Sequence, residues 1–143
     1  MREGIVRGAC YCGQVRFEVE LPPHFVSHCH NCRRAHGAGF VTWAGFEGTQ
    51  FRILEGEADL ERYKTETEAT RSFCRICGST LLFESPRWAG EVHVAVANLV
   101  DELDEMPSGH AYADRSPDWC PITDDLTRYG GESGTERLDE RRD

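Results

Sequence analysis

The clearest periodicity in the chain runs over residues 13–21, where Val15, Phe17, Val19 and Leu21 alternate with Gln14, Arg16, Glu18 and Glu20. A period of two predicts a strand with one buried face. Pro22-Pro23 ends it by removing backbone donors. Before it, residues 5–9 predict a short strand leading into a cysteine pair. After it, His24-Phe25-Val26 predicts a short strand that delivers residues 27–34 to a loop. Arg33-Arg34-Ala35-His36 predicts one helical turn, broken by Gly37 and Gly39. Further strands are expected over residues 40–46, 51–54, 60–65, 69–73, 80–83, 91–97 and 109–113, with an acidic, irregular stretch over 98–107. Short strands separated by turn signals, with no αβ alternation and no internal repeat, predict a mainly β fold.

At 143 residues the length predicts a single domain, placed here at residues 1–129. In residues 130–143, eight of fourteen side chains are charged and only Leu138 is strongly apolar. Such a stretch cannot offset its ordering entropy by burial, so it is expected to be an unstructured tail. A helix over 135–142 would have nothing to pack against.

Chemistry enters with the cysteines. Cys74-Arg75-Ile76-Cys77-Gly78 has the form of a zinc knuckle, two thiolates on one tight turn with a glycine supplying the positive-φ position. A tetrahedral site needs more donors, and Cys10-Tyr11-Cys12, followed by Gly13, is the best source. Cys10, Cys12, Cys74 and Cys77 together are expected to make a four-sulfur clip for structural zinc. The competing reading, ordinary buried or redox cysteines, fits less well. A thioredoxin-like pair sits between a strand and a helix, whereas Thr80-Leu81-Leu82-Phe83 has strand character.

Composition changes the picture in three ways. Charged residues make up 29% of the chain, so the core is modest and a metal clip is a natural source of stability. A formal net charge of -9 argues against nucleic acid as a partner, because phosphate binding needs a basic face. No apolar run approaches a membrane span, and no apolar segment of a signal peptide follows Met1. With CxC and CxxC spacings, the seven cysteines point to thiolates in a reducing cytoplasm rather than to secreted disulfides.

Cys29 and Cys32 form another CxxC pair, flanked by His28 and His30 and followed by Arg33-Arg34. Thiolates beside imidazoles make a second metal site plausible, and incomplete protein ligation would leave a position open for substrate. The alternatives are unmetallated cysteines or a reversible disulfide. His36, His93 and His110 are candidate proton carriers by residue type alone. Trp43, Trp88 and Trp119 read first as packing residues, and Cys120 has no partner at a useful spacing.

Taken together, Gly8-Ala9-Cys10-Tyr11-Cys12-Gly13-Gln14-Val15-Arg16-Phe17, His28-Cys29-His30-Asn31-Cys32-Arg33-Arg34-Ala35-His36-Gly37 and Phe73-Cys74-Arg75-Ile76-Cys77-Gly78-Ser79 resemble the glutathione-dependent formaldehyde-activating enzyme (GFA) family, also called the CENP-V/GFA domain. Further matches are His110-Ala111-Tyr112, Trp119 and Asp124-Asp125-Leu126, so the resemblance spans residues 4–129. It implies an Mss4-like β fold, structural zinc at Cys10, Cys12, Cys74 and Cys77, and a second, catalytic zinc. It also implies carbon–sulfur lyase activity of the S-hydroxymethylglutathione synthase type, on glutathione with formaldehyde or on a related thiol–aldehyde adduct.

The family's catalytic motif is C-x-C-x-x-C, and its first position is Ser27 here. A hydroxyl is a far poorer zinc ligand than a thiolate, and His28 and His30 each adjoin Cys29, which must already face the ion. The expected site therefore has Cys29 and Cys32 as catalytic metal ligands. Arg33 and Arg34 would receive the substrate's carboxylates, since planar guanidinium suits carboxylate. Solvated surface arginines are the plainer reading of that pair. A non-catalytic, zinc-stabilised binding module on the same fold is the competing function, and Ser27 favours it.

Overall fold

The computed structural model describes residues 4–138. The chain packs as two compact units, each discontinuous in sequence. The first takes the chain up to Phe25 together with Ala44–Glu105, and the second takes Val26–Trp43 and the chain from Met106 on. The crossings fall inside strands or irregular segments rather than in a Gly/Pro-rich linker, so composition carries no sign of them.

In the first unit, β1 (Ile5–Ala9), β2 (Arg16–Glu20) and β5 (Phe51–Glu55) form an antiparallel sheet in the order β1-β2-β5. The alternation works as expected on one face: Val15, Phe17 and Val19 are buried. Gly8 is Phe17's register partner, and a Cβ there would stand 2.2 Å from the ring, so only glycine lets the ring lie across the strand. The other face is not wholly solvated. Glu18 is buried because Arg52 reaches its Oε2 through Nη2 at 2.6 Å and Nε at 3.0 Å.

The same unit holds an antiparallel run in the order β9-β8-β7-β6: β6 (Leu60–Lys64), β7 (Thr70–Cys74), β8 (Thr80–Glu84) and β9 (Glu91–Ala95). Alternation along β9 predicts His93 on a solvent face, yet Val92, His93, Val94 and Ala95 are all buried. His93 is kept satisfied by Glu91, with Nε2 2.9 Å from Oε1, and by the edge of Phe25.

In the second unit, β3 (Phe25–Cys29) pairs in parallel with β10 (Gly109–Ala111), which pairs in parallel with β11 (Thr127–Gly130). β4 (Val41–Glu47) follows β3 in the strand order and passes into the first unit after Trp43. The helical turn expected after Cys32 is α1 (Arg33–His36), closed by Gly37 at φ 65°. One boundary differs from expectation: β3 continues to Cys29, so Ser27, His28 and Cys29 lie on a strand and not in a loop. Their ladder partners are residues 110 and 111, which no local pattern reveals.

The stretch 130–143, expected to be unstructured, is described as far as residue 138. Glu136–Arg137 forms β12, antiparallel to β11 in the register Tyr129↔Arg137. Composition argues about burial, whereas this hairpin is held by backbone bonds such as Leu138 N–H to Arg128 O, 2.9 Å. Residues 139–143 lie outside the described part. Among the described residues no helix is long and apolar enough to cross a membrane.

Candidate functional site

The four cysteines of the clip come together in the first unit. The turn after β1 closes with Cys10 N–H to Val15 O at 3.0 Å and Gly13 N–H to Cys10 O at 3.0 Å. The turn after β7 repeats the pattern, with Cys74 N–H to Ser79 O at 2.9 Å and Gly78 N–H to Cys74 O at 2.8 Å. Gly13 and Gly78 occupy the left-handed region at φ 82° and 84°, as that turn requires. The sulfurs of Cys10 and Cys12 are 3.7 Å apart, those of Cys12 and Cys74 3.9 Å, and all four lie within 4.8 Å of one another. A tetrahedral ion with metal–sulfur bonds of about 2.3 Å has sulfur–sulfur edges of about 3.8 Å. The residues present therefore fit a four-thiolate metal site.

Their electrostatics carry the same message. Val15 N–H points at Cys10 Sγ (3.2 Å), Cys12 N–H at Cys77 Sγ (3.4 Å) and Cys77 N–H at Cys74 Sγ (3.5 Å). The Ser79 hydroxyl, 3.3 Å from Cys77 Sγ, leads the interactions that bring the Cys77 thiol down to about 5. Cys12 moves the other way. A backbone hydrogen bond at Gln14 lowers it, but desolvation and its three sulfur neighbours outweigh that bond and push it up to about 11. Four crowded sulfurs cannot all ionise without a counter-charge, and a divalent cation supplies one.

Cys29 and Cys32 lie in the second unit, both buried, with sulfurs 3.1 Å apart. Cys29 ends β3 and Cys32 precedes α1. Strand alternation puts Ser27 on the same face as Cys29. Among the described residues, no Cys, His, Asp or Glu joins this pair to form a set of three ligands. Two thiolates leave a tetrahedral ion two donors short, so the pair does not fit a metal site of the family's three-cysteine kind. Arg33 is half-buried, with Nε 3.3 Å from His30 O, and Arg34 is exposed. The two arginines are thus adjacent to the pair in sequence but differ in freedom.

A second cluster escapes the sequence reading. His28 and His110 are register partners on adjacent parallel strands, with ring centroids 4.9 Å apart. His110 Nε2 lies 2.9 Å from Asp124 Oδ1, and its Nδ1 lies 2.8 Å from His30 Nε2. His28 Nδ1 lies 2.8 Å from Thr42 Oγ1, and Phe40 packs its ring against His28 and His30. Burial, and then neighbouring His110, hold both His28 and the fully buried His30 below the usual imidazole range, His30 at about 4. The hydrogen bond from His110, and then the Leu126 N–H, hold Asp124 below the usual carboxylate range. At neutral pH His28 and His30 are thus uncharged, while Asp124 is a carboxylate. Sequence offers His110 as a candidate proton carrier and, like Asp124, as part of the family resemblance, but nothing local connects it with Asp124 or with His28.

The other candidates take structural places. His36 meets the edge of Trp43 at 5.3 Å, Arg87 lies over Trp88, and Cys120 fills the space beside Gly39, where a Cβ would come within 2.5 Å of its sulfur. Trp119 is exposed. An open pocket of about 410 Å³ in the first unit is lined by Glu68, Glu84 and Glu91 among others, and by no residue of either cysteine group. Its acidic wall is unsuited to a dicarboxylate such as glutathione.

Comparison with known proteins agrees with the cysteine pattern. The profile of the family described as glutathione-dependent formaldehyde-activating enzyme matches residues 5–115. A Halomonas elongata protein assigned by name to that enzyme is 30% identical over 129 residues, covering 82% of this chain and 81% of the relative. An uncharacterized lyase of Schizosaccharomyces pombe is 30% identical over 78 residues, covering 53% of this chain and 55% of that protein. The crystal structure of a Rhodobacter sphaeroides protein superposes with a TM-score of 0.59 at 33% identity, over 71% of this chain and 97% of the other.

Proposed function

The chain belongs to the glutathione-dependent formaldehyde-activating enzyme family, and on that premise we propose that it is a carbon–sulfur lyase acting on glutathione and formaldehyde, or on a related thiol–aldehyde adduct. The observation that carries this reading is the buried Cys29–Cys32 pair with sulfurs 3.1 Å apart, directly followed by Arg33 and Arg34. The clip is read as a zinc site because four thiolates at tetrahedral spacing suit that ion. Cys10, Cys12, Cys74 and Cys77 would hold that ion, which would tie the turns of residues 10–15 and 74–79 together.

In the lyase direction the adduct's hydroxyl loses its proton, the C–S bond breaks, formaldehyde leaves and the thiolate is reprotonated. Synthesis runs the same steps in reverse. The chain's own groups supply positioning and charge. Arg34, exposed, and Arg33, anchored on His30 O, receive the two carboxylates of glutathione through charged hydrogen bonds. The buried Cys29 and Cys32 form the soft wall on which the substrate sulfur is held.

The test is an assay of S-hydroxymethylglutathione formation and breakdown above the spontaneous rate. The wild type should accelerate both directions, and Cys29→Ser and Cys32→Ser should each lower the rate at least tenfold while zinc content and melting temperature stay unchanged. Acceleration that survives both substitutions removes the pair from the reaction. No acceleration and no glutathione binding by the wild type would favour the zinc-stabilised binding module, the reading that Ser27 supports.

A further inference from the structure

We propose that His28, His110 and Asp124 form an open binding site for a divalent first-row transition ion, separate from the four-cysteine clip and from the Cys29–Cys32 pair. The proposal stands independently of the lyase reading. It starts from strand register. β3 and β10 run parallel with His28 opposite His110, so both imidazoles project from the same face of the sheet. Asp124, just before β11, brings its carboxylate to the same point, and one donor atom from each residue lies within 4.8 Å of the other two. The tightest edge, His110 Nε2 to Asp124 Oδ1, is 2.9 Å. An ion with bonds of about 2.0–2.2 Å to nitrogen and oxygen has ligand–ligand edges of about 3.3 Å, so small movements suffice to admit it.

What separates this cluster from a chance meeting of polar side chains is the support behind each donor. His28 Nδ1 is held by Thr42 Oγ1 at 2.8 Å, His110 Nδ1 by His30 Nε2 at 2.8 Å, and Asp124 Oδ1 by Leu126 N–H at 3.0 Å. Metal-binding histidines are characteristically oriented in this way through their second nitrogen. His30 is fully buried and Phe40 covers the imidazoles, so that side is closed. Asp124 remains 45% exposed, which leaves a route for the ion and a free coordination position. Two imidazoles and one carboxylate suit zinc, iron(II) or cobalt(II) better than calcium or magnesium, which prefer oxygen donors. Alternation along β3 turns Cys29 to the opposite face, so the two groups present separate surfaces of one strand. Where the family motif has its first cysteine, this chain has Ser27, and the donors missing there are matched by a nitrogen–oxygen set one residue out of phase.

The experiment uses the full-length protein with zinc in its clip, titrated with cobalt(II). One further equivalent should bind, with the visible bands of a nitrogen–oxygen site and no near-ultraviolet thiolate-to-cobalt charge transfer. Asp124→Asn and His28→Gln should each weaken that equivalent roughly tenfold or more, with clip zinc and circular dichroism unchanged. The Cys29→Ser/Cys32→Ser double variant should retain it. Charge transfer accompanying the second equivalent, or its loss in the cysteine double variant, would place the ion on the sulfurs and overturn the proposal. No second equivalent in the wild type would overturn it as well, leaving the cluster a hydrogen-bonded relay.

Discussion

Replacing Cys74 by serine removes the one clip ligand that is wholly buried. Cys12 and Cys74 are 62 residues apart, and a covalent cross-link over a loop of that length would stabilise the fold by about 4 kcal/mol through the unfolded chain alone. Zinc supplies the same constraint plus its own coordination energy, which in small structural sites amounts to an apparent 10 kcal/mol or more at neutral pH. A domain of this size has net stability of about 5–15 kcal/mol. The loss of one thiolate in four is therefore expected to remove most or all of it. The serine hydroxyl would also lie in a fully buried position without the ion that balances the neighbouring thiolates. Cys74→Ser should purify with no clip zinc and show no cooperative thermal transition. Cys120→Ser, outside the clip, should keep both, and a strong chelator should bring the wild type to the state of the Cys74 variant. A Cys74→Ser protein that melts cooperatively at the wild-type temperature would refute the clip as the source of stability.

Arg33→Ala/Arg34→Ala should weaken glutathione binding by about 1.5–3 kcal/mol for each charged hydrogen bond lost, read by calorimetry; unchanged affinity would take the arginines out of the site. Ser27→Cys puts a third thiolate on the same face of β3 as Cys29, so after dialysis against a weak chelator it should hold one more zinc per chain than the wild type. Equal zinc contents would show that the Cys29–Cys32 region cannot complete a thiolate site even with its missing cysteine. Asp101 is held at about 2, chiefly by the Arg7 side chain and then by the Arg7 backbone N–H. A depressed carboxyl contributes stability above its unfolded value near 4, and loses it as pH falls through its folded value. Asp101→Asn should therefore lower the melting temperature at pH 7, with the gap to wild type closing between about pH 4 and pH 2; a pH-independent gap would mean that charge is not the cause.

Wherever a local pattern was sufficient, the chain could be read directly. Alternation over 13–21 marked β2 and its buried face, and two short cysteine motifs, each followed by glycine, marked both halves of the clip. Spacing within a turn dictates where two thiolates point, and four converging soft donors suit a metal ion. Other features depended on residues far apart in the chain. Glu18 and His93 sit on nominally polar faces, yet each is buried because Arg52 or Glu91 happens to face it. The hairpin of β11 and β12 rests on backbone bonds, to which composition is blind. Above all, the meeting of His28, His110 and Asp124 is a matter of parallel strand register, and a parallel pair needs a long crossover that leaves no periodic trace. Sequence by itself determined which donors this protein has and which of them are tied by short spacing. Tertiary structure alone decided which distant donors share one face of a sheet, because a shift of one residue in register would send every one of them to the other side.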